Sequence, residues 1–285
     1  MKIAIIGLGL IGGSMGLALK QAKWRNAEVT GYVRRPEVGS SALSLGTVDK
    51  VESSLKKAVE KADLIIIATP ALTIKDIFAR TACDLSAGCI VTDAASTKQQ
   101  VLGWAKELLP ATVDFIGGHP MAGKETFGIK AATADLFHGC IYCLTPAPQA
   151  KPAAMQTVTE MVKAIGATPL VIDARGHDNL VAGISHLPML LSAALVLATT
   201  QNDTWGKMLQ LASSGYRDVT RLASGNPEMN AHIFLSNQET IVSWIDEFIK
   251  ELQRLRSLIA NGDNEIERVL ASAREARQRW LEKRS

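Results

Sequence analysis

The sequence has little net charge and no long apolar run. Its 31 lysine and arginine residues against 28 aspartate and glutamate residues leave a formal charge of +3 at pH 7, too little to indicate a nucleic acid or an acidic membrane surface as a partner. The longest uncharged apolar stretch, Leu187 to Thr200, is shorter than the roughly 20 residues that span a bilayer and contains Pro188. The apolar N-terminus is broken by glycines and has no cleavage-site pattern of a secretory leader. We therefore expect a cytoplasmic protein that binds neither nucleic acid nor membrane.

Cysteine is also scarce. The 4 cysteines are Cys83, Cys89, Cys140 and Cys143, and so low a number is typical of a protein in the reducing cytosol. The spacing of Cys140 and Cys143 is that of half a metal site, but no second pair accompanies it. Both also fall in or beside a predicted strand, 139–145, where residues three apart point to opposite faces. We predict no metal site.

What the sequence does have is a glycine motif at its start. The first residues, MKIAIIGLGLIGGS, place Gly7, Gly9 and Gly12 in a G-x-G-x-x-G spacing directly after an apolar, β-branched run. The residues that follow are good helix formers without proline. A strand, a glycine turn and a helix are what a dinucleotide needs, because the helix N-terminus binds the pyrophosphate. We predict a nicotinamide dinucleotide here, with Leu10 and Ile11 in the binding turn; the alternative is a glycine-rich turn that binds nothing.

Apolar strands and helices alternate through the first part of the chain. After the first strand, we predict strands at 28–33, 62–69, 89–93, 114–117, 139–144 and 168–172, and helices at 40–46, 53–61, 72–82, 97–109 and 153–165. Continuous apolar strands that alternate with helices indicate a parallel sheet covered on both faces.

From Asp178 onward the strand pattern stops. The remaining chain reads as four helices, at 179–200, 204–223, 227–261 and 263–283. We therefore predict an α/β fold in which a Rossmann dinucleotide-binding domain, residues 1–174, is followed by an all-α domain, residues 175–285.

The chemistry is expected at the carboxyl edge of the sheet, where open parallel sheets bind their ligands. Three loops follow strands at this edge: Thr69-Pro70, the segment DAASTK at 93–98, and the glycine-rich segment GGHPMAGKE at 117–125. We expect all three near the nicotinamide end of a bound dinucleotide.

These segments give the chain a resemblance to the prephenate and arogenate dehydrogenases of tyrosine biosynthesis. The resemblance is carried by GLGLIGGS at the start, DAASTK, GGHPMAGKE, ISHLP at 184–188 and RDVTR at 217–221, in that order. It implies oxidative decarboxylation: hydride leaves the ring carbon that bears the hydroxyl group, carbon dioxide leaves from the opposite ring position, and aromatisation drives the reaction. Prephenate and arogenate stay equally open as substrates.

A reaction of this kind needs a group that accepts the hydroxyl proton, and a neutral imidazole has a suitable pKa. His119, expected in a loop at the cofactor edge, matches the histidine that does this in the family. Ser96 matches the family serine that bonds the substrate hydroxyl and the histidine, although it could instead cap the helix that begins near Thr97.

The resemblance also implies anchors for a dicarboxylate. Arg221 matches the arginine that holds the ring carboxylate, for which bidentate geometry favours arginine over lysine. His186 matches a histidine of the same pocket. Asp218 would orient Arg221 or form a mere surface pair, and Glu125 matches an acid that gates the pocket or is a solvated loop residue.

The cofactor preference follows from the end of the second strand. An acidic residue at this position bonds the adenosine ribose in NAD-binding domains, whereas this chain has Val33, followed by Arg34 and Arg35. Two arginines can instead bond a 2′-phosphate or stack on the adenine. We expect a preference for NADP over NAD.

A further expectation concerns the four helices after Asp178. The resemblance implies that these helices intertwine with those of a second chain in a homodimer, although a compact monomeric helical domain would fit the periodicity equally.

Two other functions fit a Rossmann domain followed by helices: a β-hydroxyacid dehydrogenase or imine-type reductase, and a non-catalytic dinucleotide sensor. Residues 178–200 contain none of the lysines that the first class uses, and a sensor would not need His119, Ser96 and Arg221 together.

Overall fold

The computed structural model of the protein describes residues 1–124 and 126–283. The described strands are β1 (Lys2–Ile6), β2 (Glu28–Tyr32), β3 (Lys50–Glu52), β4 (Leu64–Ile67), β5 (Ile90–Asp93), β6 (Asp114–Pro120), β7 (Ile141–Pro146) and β8 (Thr168–Val171). They form one sheet in the order β3-β2-β1-β4-β5-β6-β7-β8. The chain order reverses between β1 and β4, which opens a crevice for a ligand at their carboxyl ends.

The first helices alternate with these strands, and the later ones follow one another. They are α1 (Leu10–Gln21), α2 (Pro36–Ser44), α3 (Leu55–Val59), α4 (Ile74–Thr81), α5 (Gln99–Leu108), α6 (Pro152–Ala164), α7 (Ala174–Val181), α8 (Leu187–Thr200), α9 (Trp205–Leu211), α10 (Ser214–Thr220), α11 (Pro227–Ser236), α12 (Gln238–Ala260) and α13 (Glu265–Glu282).

The central strands are buried on both faces. Every residue of β4 and all but the first of β1 are buried. On one face of the sheet Met15 and Met161 belong to a core that α1 and α6 cover, and on the other Phe78 and Val101 belong to a core that α4 and α5 cover. Burial of each large apolar side chain contributes about 1.5–3 kcal/mol. The predicted α/β fold with a helical part after it is thus confirmed.

The predicted all-parallel sheet is wrong at one pair, because β6 and β7 run antiparallel. An antiparallel neighbour needs no crossover helix, and the described part of the connection from β6 to β7 carries only one short 3₁₀ turn, Ile129–Ala131. Pairing with β7 also extends β6 beyond the predicted end at Gly117. His119, expected in a loop, therefore lies within the strand, opposite Cys143. A short edge strand, Lys50–Glu52, was not predicted.

The helical part differs from the four predicted helices in its breaks. The first predicted helix begins earlier, and α7, a π-helical segment (Ala182–His186) and α8 run on as one helix, Ala174–Thr200. Among the described residues it is the one helix whose length and composition would allow it to cross a bilayer. The second and third predicted helices are each divided, at 212–213 and at Asn237. The break at Asn237 frees its side chain, which donates to the carbonyl oxygen of Asp178 at 2.8 Å.

The chain divides into two compact units, residues 1–238 and 239–285. The first contains the sheet and the helices through α11, and the second contains all but the first residue of α12 and all of α13. The predicted domain boundary between residues 174 and 175 falls inside the first unit and stays a prediction.

Candidate active site

The glycine turn joins β1 to α1. Gly7 has a φ of +97°, in the left-handed region that favours glycine. A Cβ at Gly7 would lie 2.7 Å from the carbonyl oxygen of Ala68, and a Cβ at Gly12 would lie 2.0 Å from that of Gly7. A Cβ at Gly9 would meet no described atom within 4 Å. The first and third glycines are therefore needed by the turn itself, whereas the second faces open space through which a ligand can reach the backbone.

The helix that follows fits an anionic ligand. Leu10 begins α1, whose first turn, described throughout, has neither a capping side chain nor an acidic residue. Free N–H groups at such an N-terminus bind phosphate, and the half-buried Ile11 lies in this turn. Thr69 and Pro70 follow β4, and the methyl group of Thr69 would lie 2.7 Å from a Cβ at the first glycine. The glycine turn, the start of α1 and Thr69 thus lie side by side, and their arrangement suits the pyrophosphate of a dinucleotide.

The two arginines predicted to select the cofactor lie at the same edge. The backbone N–H of Gly7 donates to the carbonyl oxygen of Tyr32 over 3.2 Å, which holds the end of β2 beside the glycine turn. The chain then continues through the half-buried Val33 into exposed Arg34 and Arg35. This is where a Rossmann domain holds the adenosine ribose.

A buried ion pair holds the carboxyl ends of β5 and β6 together. Asp93 accepts hydrogen bonds from the ammonium group of Lys98 and, at 3.0 Å, from the backbone N–H of Gly118. Lys98 also donates to the carbonyl oxygen of Gly118 at 2.6 Å. Burial lowers the pKa of Lys98, while the charge of Asp93 opposes this shift. A Cβ at Gly118 would lie 2.5 Å from the carbonyl oxygen of Asp93, so glycine allows this close approach and thereby fixes the position of His119, the next residue.

His119 stands at the end of a row of three buried side chains. Its Nδ1 is 2.9 Å from Nε2 of His177, and Nδ1 of His177 is 2.7 Å from Oδ1 of Asp178. The carboxylate of Asp178 also accepts hydrogen bonds from the backbone N–H groups of Lys98, at 2.7 Å, and Gln99, at 2.9 Å. The row therefore connects β6 with α7 and with the N-terminus of α5.

Burial lowers the pKa of His119 well below its ordinary value, and positive charge on His177, Lys98 and His186 would lower it further. A buried imidazole with these neighbours is disfavoured as a cation. His119 is therefore neutral near pH 7, which is the form that can accept a proton.

His186 is fully buried in the π-helical segment. Its Nδ1 is 3.4 Å from the amide nitrogen of Asn237, and its Nε2 has no hydrogen-bond partner among the described residues. Burial lowers the pKa of His186 to about 4, so this side chain is neutral near pH 7 and does not supply a cationic anchor there.

The alternative of Ser96 as a helix cap is wrong. Helix α5 begins at Gln99 and not near Thr97, and its first N–H groups are capped by the carboxylate of Asp178. Ser96 lies half buried in the loop after β5, two residues before the cap position. Its hydroxyl group is thus not occupied by capping and lies on the edge where the sequence places the substrate.

Two of the remaining predicted residues are exposed on this chain. Arg221 begins a 3₁₀ turn directly after α10 and is exposed in the single chain. Asp218 is exposed and lies 3.5 Å from Arg217. Glu125 lies outside the described residues. The structure thus places His119 and His186 close enough for their charges to interact, and leaves Arg221 and Asp218 on the surface of this chain.

Sequence reasoning missed four members of the buried network. From the sequence, no role in the site was assigned to His177, Asp178, Asp93 or Lys98. Asp93 and Lys98 stand at the two ends of the segment DAASTK that was singled out, and an acid and a lysine in such a loop were a usable signal. The pairing of His177 with His119 spans 58 residues and left no local signal.

Two family models match consecutive parts of the chain. One, described as the prephenate dehydrogenase nucleotide-binding domain, matches residues 15–171. The other, described as the prephenate dehydrogenase dimerization domain, matches residues 173–272.

Individual relatives cover nearly the whole chain. The prephenate dehydrogenase of Lactococcus lactis is 36% identical over 285 residues, which is 97% of this chain and 77% of that protein. The crystal structure of Synechocystis arogenate dehydrogenase is 32% identical with a TM-score of 0.83, over 98% of this chain and 100% of that one. The structure of prephenate dehydrogenase from A. aeolicus with hydroxyphenyl propionate and NAD+ is 27% identical with a TM-score of 0.91, over 98% of each chain.

Proposed function

Because this chain belongs to the prephenate dehydrogenase family, we propose that it oxidatively decarboxylates prephenate, arogenate or both, the substrates that its relatives are named for. It is an NAD(P)-dependent dehydrogenase with a Rossmann nucleotide-binding part. In the reaction the ring carbon that bears the hydroxyl group loses hydride, the hydroxyl group loses its proton, and the ring carboxylate leaves as carbon dioxide. The bound nicotinamide supplies the hydride acceptor.

His119 is the residue that takes the hydroxyl proton. One observation carries this assignment: a buried imidazole, whose pKa is lowered by its burial, lies at the carboxyl edge of β6, on the same edge of the sheet as the glycine turn. A base with a depressed pKa is unprotonated at neutral pH, which suits it to accept the proton as carbonyl character develops. Ser96, on the neighbouring loop after β5, bonds the same hydroxyl group.

Arg221 holds the ring carboxylate, because a guanidinium group can donate two parallel hydrogen bonds to it. Asp218, one helical turn earlier, orients Arg221, and Glu125 gates the pocket. His186 lines the pocket as a neutral group, since burial keeps it unprotonated at neutral pH. Its Nε2, which has no hydrogen-bond partner in the part of the chain that the structure describes, offers one hydrogen bond to a substrate oxygen.

The cofactor preference is for NADP. Val33 stands where an acid would repel a 2′-phosphate, and Arg34 and Arg35 follow it at the edge beside the glycine turn. Exposed arginines of this kind favour a phosphate modestly, because solvent screens their charge.

The helical part forms a homodimer. Large apolar side chains are exposed along α7 to α10 in the single chain, among them Leu180, Ile184, Leu197, Leu211 and Val219, and patches of this kind mark protein interfaces. The helix Ala174–Thr200 would suit a bilayer by length and composition. However, it also carries the buried His177, Asp178 and His186 of the site, so its exposed face fits a second copy better. We place the protein in the cytoplasm, as for a soluble biosynthetic enzyme.

The proposed reaction is tested by one assay. The purified chain is mixed with prephenate or arogenate, each with NAD+ and with NADP+, and reduced cofactor and aromatic product are followed together. We expect stoichiometric formation of both with at least one of the two substrates. Cofactor binding without turnover of either substrate would contradict the reaction and favour a dinucleotide sensor.

A further inference from the structure

The hydrogen bonds between Asp178, His177 and His119 indicate which ring nitrogens of the two histidines carry protons. The carboxylate of Asp178 accepts hydrogen bonds from the backbone N–H groups of Lys98 and Gln99, at 2.7 and 2.9 Å, so both of its oxygens act as acceptors. Nδ1 of His177, at 2.7 Å from this carboxylate, must then carry the proton. With a single proton on this ring, Nε2 of His177 is the acceptor, and Nδ1 of His119 at 2.9 Å donates to it.

We propose that His177 and Asp178 are positioning residues that hold His119 in the Nδ1-protonated tautomer, so that its Nε2 lone pair is free to take the substrate hydroxyl proton. The proposal rests on the function of His119 proposed above. It adds two residues, adjacent in sequence on α7, that act through His119 and do not touch the substrate.

The same row stabilises His119 after it has accepted the proton. The hydroxyl O–H bond breaks, an Nε2–H bond forms on His119, and the proton on Nδ1 stays in its hydrogen bond to His177. Burial would otherwise oppose the resulting imidazolium. The neutral acceptor on His177, with the negative charge of Asp178 behind it, compensates part of this cost.

Two elements hold the row at Asp178. The first N–H groups of α5 hold the carboxylate of Asp178, and the side chain of Asn237 donates to the backbone carbonyl oxygen of the same residue at 2.8 Å. His177 and Asp178 are 1% and 2% exposed. A side chain whose own partners are fixed can set the tautomer of the next one.

Two substitutions of His177 separate positioning from packing. In His177→Gln the amide oxygen can take the place of Nε2 and accept from His119, whereas His177→Leu fills similar space and offers no acceptor. We expect His177→Leu to lower kcat by about a hundredfold, in the range that a misoriented base costs. His177→Gln should recover at least about tenfold of this, with the KM of both variants within about threefold of the wild type.

The outcomes of this comparison are decisive. A leucine variant with wild-type kcat overturns the proposal, and so do glutamine and leucine variants with equal losses of kcat and equal decreases in Tm, because packing alone would then explain them.

A second measurement does not depend on activity. Proton–nitrogen NMR correlations of the wild-type protein, with histidine selectively labelled, report which ring nitrogen of His119 carries the proton. Protonated Nδ1 with bare Nε2 supports the proposal, and the reverse overturns it. A wild type that turns over neither prephenate nor arogenate would contradict the proposed function but leave this NMR result to decide the tautomer.

Discussion

The central strands of the sheet and the helix Ala174–Thr200 are both apolar, yet their side chains lie in opposite environments. Every residue of β4 is buried within the single chain, whereas only Leu187 and Ser192 are buried among the residues of α8. The central strands meet helices on both faces, so their apolar side chains are buried by their own chain. The chain itself buries only the side of the helix that carries His177 and His186.

This difference separates the site residues that one chain buries from those that it leaves exposed. The proposed base, His119, lies on the sheet side and is 8% exposed, so its environment is complete in the monomer. The proposed carboxylate anchor, Arg221, lies on the helical side and is exposed. We infer that the sheet and α7 together set the chemistry of the site, through His119, His177 and Asp178, and that the proposed dimer completes its binding surface.

The largest effect is expected on the sheet side. His119→Asn should lower kcat by about a hundredfold or more, because it removes a group that takes a proton in the transition state. Cofactor and substrate dissociation constants should stay close to those of the wild type. Steady-state kinetics and equilibrium binding check this, with His138→Asn, at an exposed histidine, as the control. A near-normal kcat would place the base elsewhere.

On the helical side, Leu197→Glu should raise the dimer dissociation constant by about thirtyfold or more, because a charge placed in an apolar interface costs roughly 2 kcal/mol or more. Sedimentation or light scattering over a concentration series measures it. Leu43→Glu is the matched control, since Leu43 on α2 is similarly exposed but belongs to the sheet part. Equal behaviour of the two variants would place the dimer contact outside α8.

Loss of the proposed carboxylate anchor, Arg221, should affect KM more than kcat. Arg221→Gln is expected to raise KM by about tenfold or more, since a charge-assisted hydrogen bond contributes roughly 1.5–3 kcal/mol, while kcat changes much less. The control is Arg217→Gln, at a neighbouring arginine that is largely exposed. An unchanged KM for the dicarboxylate would show that another cation holds it.

The buried base predicts an unusual pH profile. The pKa of His119 is lowered, so the imidazole stays neutral below pH 6.5 and loses its function only as pH falls through the lowered pKa. An ordinary histidine would lose about tenfold of kcat/KM one unit below its pKa of about 6.5, and we expect a much smaller loss here. A titration of kcat/KM with an acid midpoint at or above 6.5 would show that His119 is solvated in the free enzyme.

The smallest effect is expected at the exposed edge of β2. Val33→Asp should shift the ratio of kcat/KM from NADP towards NAD by about fivefold, because exposed charge pairs contribute about 1 kcal/mol at most. Arg80→Gln, at an exposed arginine on α4, should leave the ratio unchanged. A wild type that already prefers NAD by about tenfold would show that Arg34 and Arg35 serve the adenine instead.

Local signals were enough for the fold and for part of the site. The glycine turn, β1, β4 and the alternation of strands with helices depend on neighbours a few residues apart, and all of these were predicted. The antiparallel β7 was not, because strand direction depends on the path of the connection and not on the strand's own residues. The late helices were predicted, but the breaks at 212–213 and at Asn237 were missed.

The sequence by itself determined the nucleotide-binding fold, the family motifs and His119 as the candidate base, since each rests on residue types at short, regular spacings. Only the tertiary structure decided that His119 lies buried in a strand, that His177 is its partner and that Asp178 caps α5. The contacts of Asp178 with Lys98 and Gln99 span 80 and 79 residues. Hydrogen bonds of that range depend on how the helices pack against the sheet, and no local pattern encodes them.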